Sequence, residues 1–116
     1  MRIDIITLFP DLVTTMTGES IVKRAQEKGH VEIVVHNLRD QATNKYGSVD
    51  DRPYGGGPGM VLRVDIVAPA IAQVRKLNPG APVLLMTPQG QKYTQAKAQT
   101  LAKESGLILV CGHYEG

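Results

Sequence analysis

Three short stretches of the chain bring together residue types that could do chemistry. The first runs from Asp50 to Met60, DDRPYGGGPGM, where two carboxylates, an arginine, an aromatic ring and four glycines fall within eleven residues. Such a loop suits a polar, planar partner: Arg52 for phosphate, Asp50 or Asp51 accepting from base N–H donors, and Tyr54 for stacking. It is not a phosphate-binding P-loop, because Gly55 to Met60 lacks the Gly-Lys-Ser/Thr ending that holds phosphate and magnesium. Nor is it the dinucleotide fingerprint, which needs a strand directly before it and a third glycine at the proper spacing. A flexible linker is the plain alternative, but pure linkers are Gly/Ser-rich and DDRPY is not.

The second and third stretches are TPQG, Thr87 to Gly90, and GHYEG, Gly112 to Gly116, each directly after an apolar run. In open α/β sheets, ligands bind at the carboxyl ends of strands, where loops meet helix amino-termini and free backbone groups. Gly90 and Gly112 let backbone approach a flat ligand closely, and Pro88 fixes one wall by locking its φ. The bland alternative for both turns is strand-to-helix punctuation. His30, His36, His113 and Cys111 lack zinc-type spacing. Cys111 ends an apolar strand and reads as core rather than nucleophile. No Ser-His-Asp pattern or Gly-x-Ser-x-Gly elbow occurs.

The elements that must position these stretches read as alternating strands and helices. Arg2 to Leu8 is a β-branched run closed by Phe9-Pro10, hence a first strand. Gly18 to Gly29 reads as a helix with Ile21, Val22 and Ala25 on one face and a glycine stop. Val31 to Leu38 is a second strand, followed by a polar stretch from Arg39 to Gly59 without periodicity. Ile66, Val67, Ala70, Ile71 and Val74 repeat at helical spacing, up to about Lys76. Pro82 to Met86 is an apolar strand after the Asn78-Pro79-Gly80 turn. Thr94 caps a helix whose buried side is Ala98, Leu101 and Ala102, with Gly106 at its end. Leu107 to Cys111 is a further apolar strand. Strands apolar throughout and alternating with helices imply an α/β fold, a parallel sheet flanked by helices on both faces.

Composition limits the possibilities further. At 116 residues the chain holds one domain at most, and 42% hydrophobic with 21% charged residues argues against disorder. No apolar run approaches the roughly 20 residues a membrane span needs. Acids inside MRIDIITLFPD exclude a secretory signal. One cysteine excludes an internal disulfide and fits a reducing cytosol. A net charge of +2 permits a nucleic-acid partner without identifying one.

Four blocks, MRIDIITLFP at 1–10, VDDRPYGGGPGM at 49–60, LLMTPQGQKYTQ at 84–95 and LILVCGHYEG at 107–116, resemble the bacterial tRNA (guanine-N1)-methyltransferases, a SPOUT-class family. The resemblance covers the entire chain in order and spacing; His113 and the segment from Ala42 to Ser48 fall where members are expected to vary. It implies a cytoplasmic homodimer that moves a methyl group from S-adenosylmethionine to N1 of the tRNA guanine immediately 3′ of the anticodon, with another guanine required before it. It further implies a trefoil-knotted donor pocket with three loops around the cofactor. Met86, Thr87, Pro88, Gln89 and Gly90 match the first loop, and Gly112, Tyr114 and Glu115 the second. Residues 39–59 correspond to a tRNA-facing loop, with Asp50 and Gly59 reading the preceding guanine beside Arg52, Pro53 and Tyr54. A magnesium requirement is compatible with the resemblance, Glu115 being the one metal-facing candidate.

The family's third donor loop, its general-base aspartate, its guanine-polarising arginine and its carboxy-terminal tRNA-gripping domain are expected after Gly116. Residues 1–116 then form a truncated amino-terminal donor-binding domain with an incomplete knot and no catalytic residue, inactive by itself. Two other classes fit the residues less fully: a non-enzymatic RNA- or nucleotide-binding α/β module, and a structural dimerisation domain. Binding of S-adenosylmethionine by the full-length parent separates the first class from these. With five glycines and little apolar surface to bury, the long loop is expected to open at almost no free-energy cost. Its amides, particularly over Gln41 to Asp51, are expected to exchange with deuterium at nearly unprotected rates without tRNA; strong protection in the free protein would contradict this.

Overall fold

A computed structural model describes residues 1–41, 50–51, 61–62, 64–86 and 92–111. The predicted mobility of the 39–59 loop falls mostly outside these residues. Four strands form one sheet in the order β2-β1-β6-β5: β1 (Arg2–Thr7), β2 (Glu32–Asn37), β5 (Val83–Met86) and β6 (Gly106–Cys111). Every pairing in it is parallel. A separate antiparallel pair, β3 (Asp50–Asp51) with β4 (Val61–Leu62), sets Asp51 opposite Val61 and so brings the ends of the glycine-rich stretch together. Short regular pieces therefore stand where the sequence predicts unbroken loop, since a 3-10 turn also follows β2 at Leu38–Gln41.

The helices are α1 (Pro10–Thr17), α2 (Ser20–Glu27), α3 (Val64–Leu77) and α4 (Gln95–Leu101). α1 was not anticipated. Pro10 stands at its first turn, where a missing N–H costs nothing and the fixed φ favours helix, so Phe9-Pro10 opens a helix as well as closing a strand. Its threonines lower the intrinsic propensity, and two of them bond back to carbonyls of the previous turn, Thr15 to Asp11 and Thr17 to Val13. The predicted helix from Gly18 therefore begins later, at Ser20. Its stop is as expected. Gly29, at φ +77°, donates to the Gln26 carbonyl, and His30 donates to that of Ala25, which is a Schellman closure.

Two predicted burial patterns need correction. Ile21 is 75% exposed, while Val22 and Ala25 are half-buried, so the inward face of α2 is narrower than its apolar residues suggested. Ala102 is exposed and lies beyond α4, and Gly106 begins β6 rather than ending the helix. The Thr94 cap holds: its hydroxyl accepts from the Lys97 N–H at 3.2 Å.

The chain moves outward from β1 to β2, then back across the sheet to β5. Right-handed crossovers put α3 on the face opposite α1. The main core lies under α3, where Ala70 and Val74 meet Ile6, Ile108 and Val110 from the central strands, with Leu8, Leu38 and Ala81 at the margins. Val67, Ile71 and Val83 extend it.

On that same face Asp4 is fully buried in the middle of β1. Its carboxylate receives Arg2 through both Nε and Nη2 at 3.0 Å, Asn78 Nδ2 at 2.9 Å, and contacts His36 Nε2 at 2.7 Å. Burial, the largest single influence, raises the pKa of this carboxyl, but the hydrogen bonds from Arg2, His36 and Asn78, with the Arg2 charge, together hold it below the ordinary value. Asn78 also donates to the carbonyls of Arg2 and Leu107. It fits because Gly106 has no side chain: a Cβ there would stand 2.8 Å from Asn78 Cγ and Nδ2.

Removing one member of this cluster leaves buried polar groups unpaired. Asp4→Ala is expected to destabilise the fold by about 3 kcal/mol near neutral pH. Because the folded pKa is depressed, the contribution of Asp4 is complete above the unfolded value near pH 4 and is lost as pH falls through the folded value. Urea midpoints of wild type and variant should therefore begin to draw together as pH falls below about 4; a gap independent of pH would refute the assignment. Gly106→Ala is expected to cost about 1–3 kcal/mol by displacing Asn78.

Candidate functional site at the carboxyl edge of the sheet

Parallel pairing delivers all four main strands to one edge with their carboxyl ends together. Register makes the last rung continuous: Asn37 stands beside Thr7, Thr7 beside Cys111, and Cys111 beside Met86. β5 and β6 are direct neighbours, so the segments that follow Met86 and Cys111 leave the sheet from adjacent strands about 4.8 Å apart. The points from which the two turns depart therefore lie at one end of the sheet.

Of the residues singled out for the donor, Met86 is described, and Thr87, Pro88, Gln89, Gly90, Gly112, Tyr114 and Glu115 lie outside the described residues. Asp50 is in β3, while Arg52, Pro53, Tyr54 and Gly59 lie outside them. Met86 is 53% exposed and Leu85, its neighbour on the opposite face of β5, 55%. Apolar side chains so open at the end of an otherwise buried sheet mark a surface suited to a partly apolar ligand or a further segment of protein.

The sequence reading passed over Thr7 and Asn37. Thr7 is fully buried, and its hydroxyl accepts the Phe9 N–H at 3.0 Å, which turns the chain from β1 toward α1. Asn37 Oδ1 accepts the Arg39 N–H at 2.9 Å and starts the turn after β2. Polar residues closing apolar strands were the available signal for both. No group of three His, Cys, Asp or Glu side chains among the described residues could hold a metal ion. No helix among them is long and apolar enough to cross a membrane.

Parallel strands with their carboxyl ends at one edge and helices on the faces define an α/β domain of the kind that binds ligands at that edge. The model of the family described as tRNA (Guanine-1)-methyltransferase TrmD matches residues 1–116, and the chain belongs to that family. It is 53% identical over 116 residues to a tRNA (guanine-N(1)-)-methyltransferase of Geobacillus kaustophilus, covering all of this chain and 48% of the relative. It is 55% identical over 117 residues to the protein of that name from Bacillus cereus strain AH820, again covering 48% of it. The crystal structure of tRNA (m1G37) methyltransferase from Aquifex aeolicus superposes with a TM-score of 0.88 at 37% identity, covering the whole chain and 52% of that one. The chain thus spans about half the length of the relatives it matches.

Cys111 offers a chemical probe of this edge. It is half-buried, and burial pushes its thiol pKa up, which lowers the thiolate fraction at neutral pH. Iodoacetamide is therefore expected to label this lone cysteine more slowly than a free thiol at pH 7.5, as read by intact mass. Labelling as fast as glutathione would show that the β6 terminus is not packed as described.

Proposed function

We propose that this chain is the donor-binding part of a tRNA methyltransferase that moves a methyl group from S-adenosylmethionine to N1 of the guanine immediately 3′ of the anticodon. The observation that carries the reading is the Met86–Cys111 rung, which starts the 86–90 and 112–115 segments from adjacent strand ends in a member of this family. Adenine carries a donor and acceptors along one edge, which strand-end backbone can match with few polar side chains. Exposed Met86 supplies apolar surface for the ring. When bound, S-adenosylmethionine supplies an electrophilic methyl on a sulfonium. Met86, Thr87, Pro88, Gln89 and Gly90 would hold it on one side, and Gly112, Tyr114 and Glu115 on the other.

Guanine N1 carries a proton, so methylation there needs a base at the acceptor. None of residues 1–116 is assigned that role. What this chain contributes is placement: it orients the donor and presents Asp50, Arg52, Pro53, Tyr54 and Gly59 to tRNA, with Asp50 and Gly59 set toward the preceding guanine. Holding both reactants in attack geometry can lower a barrier by several kcal/mol without any proton transfer. A cytoplasmic homodimer is the assembly we infer. No metal enters the proposal.

The full encoded protein is expected to form 1-methylguanosine in a tRNA transcript, detected by mass spectrometry of nucleosides. Replacing the guanine after the anticodon should abolish the product. Asp50→Ala should lower kcat/KM for tRNA with little change in donor affinity, whereas Gly112→Val should do the reverse. In a donor-soaked crystal the adenine should lie between residues 86–90 and 112–115. Adenine density beside residues 55–59 would sink the reading.

A further inference from the structure

A cavity of about 310 Å³ opens on the α3 side of the sheet at the carboxyl end of β2, separated by β1 from the Met86–Cys111 pair. Ile6, Ala70 and Val74 give it apolar surface, and His36, Asn37, Asp40 and Gln73 give it polar surface. All seven are described residues, and the donor-site reading uses none of them. We propose that this cavity binds a small organic cation, an alkylammonium or guanidinium with an aliphatic stem.

The buried Asp4 carboxylate fixes where His36 carries its proton. Its Nε2 lies 2.7 Å from Oδ1 of buried Asp4, a carboxylate that also collects donors from Arg2 and Asn78. An ionised carboxylate only accepts, so Nε2 must carry the hydrogen. In the neutral ring Nδ1 is then a lone-pair acceptor, and no described residue supplies it a donor. The His36 side chain keeps 25% of its surface open and lines the cavity.

Charge selects the ligand's sign. Arg2 already pairs with Asp4, so the Asp40 carboxylate decides the local balance. None of the described residues that line the space is a lysine or arginine, which disfavours phosphate or a carboxylate. No group of three ligating side chains is present among the described residues, which disfavours a metal ion. A cationic N–H group can bond Nδ1 and Asp40 while its carbon stem covers Ile6, Ala70 and Val74. The volume sits at the lower limit of small-molecule pockets, so the ligand must be small.

Nitrogen-15 spectra of the histidine rings in the purified protein test this, with n-butylammonium, methylguanidinium, n-butanol and inorganic phosphate as probes. Ligands of this size bind in about the millimolar range at best. Both cations should shift the His36 ring saturably with the Nε2–H tautomer retained, and phosphate should not. Asp40→Asn should weaken cation binding at least about tenfold, the loss expected for a charged hydrogen bond, and leave butanol unaffected. Asp40 is exposed, so an unchanged urea midpoint is expected to accompany that loss. Should Asp40→Asn unfold the protein, Asp40→Ser serves in its place, read by calorimetry with the same probes. Equal binding of butanol and butylammonium, an Nδ1–H tautomer, or cation binding indifferent to Asp40 would each overturn the proposal. Neither tRNA nor methyl donor is used, so the result is independent of the reading of the carboxyl edge.

Discussion

Asp4 puts a carboxylate into the middle of a hydrophobic sheet, and much of the arrangement around it follows from the need to satisfy that charge. An isolated carboxylate taken out of water would cost several kcal/mol or simply protonate. Here it is answered from three directions: Arg2 on its own strand, His36 on the neighbouring strand, and Asn78 at the end of α3. Asn78 reaches onward to β6 through the Leu107 carbonyl. One buried acid thus ties β1, β2, β6 and the end of α3 together at a single point.

That tie acts on register. Apolar strands packed on both faces can slip without an obvious hydrophobic penalty, since valine, isoleucine and leucine replace one another. A slip of β2 or β6 by one residue would take His36 or Gly106 out of position and strand the carboxylate. The polar network runs from the amino-terminal ends of β1 and β6 to His36 near the end of β2, and the carboxyl edge inherits its alignment. Met86 stands beside Cys111, and Cys111 beside Thr7, because the strands are locked a few residues earlier.

The two faces of the sheet are finished differently. Under α3 lies the main core, and a recess beside β2 there is lined in part by His36. On the other side α1 buries no residue completely, and Leu12 and Met16, one turn apart, remain exposed. At the carboxyl end of β5 both Leu85 and Met86 are open. Rigidity at one end of the strands and accessible apolar surface at the other is the division expected of a scaffold that holds a ligand.

Much of this was legible in the residues. Apolar strands alternating with helices implied a parallel α/β sheet, the Gly29 stop and Thr94 cap read correctly, and the four motif blocks pointed to the family. Those features are local, or set by spacing along the chain. Strand order was not among them, because β6 enters between β1 and β5 through contacts distant in sequence. Nor was α1, whose threonine-rich stretch is helical where proline preorganisation and packing on the sheet outweigh propensity. Gly106 looked like a helix stop, and only the fold reveals it as the space that admits Asn78. Asp4 read as an acid that ruled out a signal peptide. Its burial, two of its three partners and the acceptor it leaves on His36 depend on residues 32 and 74 positions away, and only tertiary structure could bring them together.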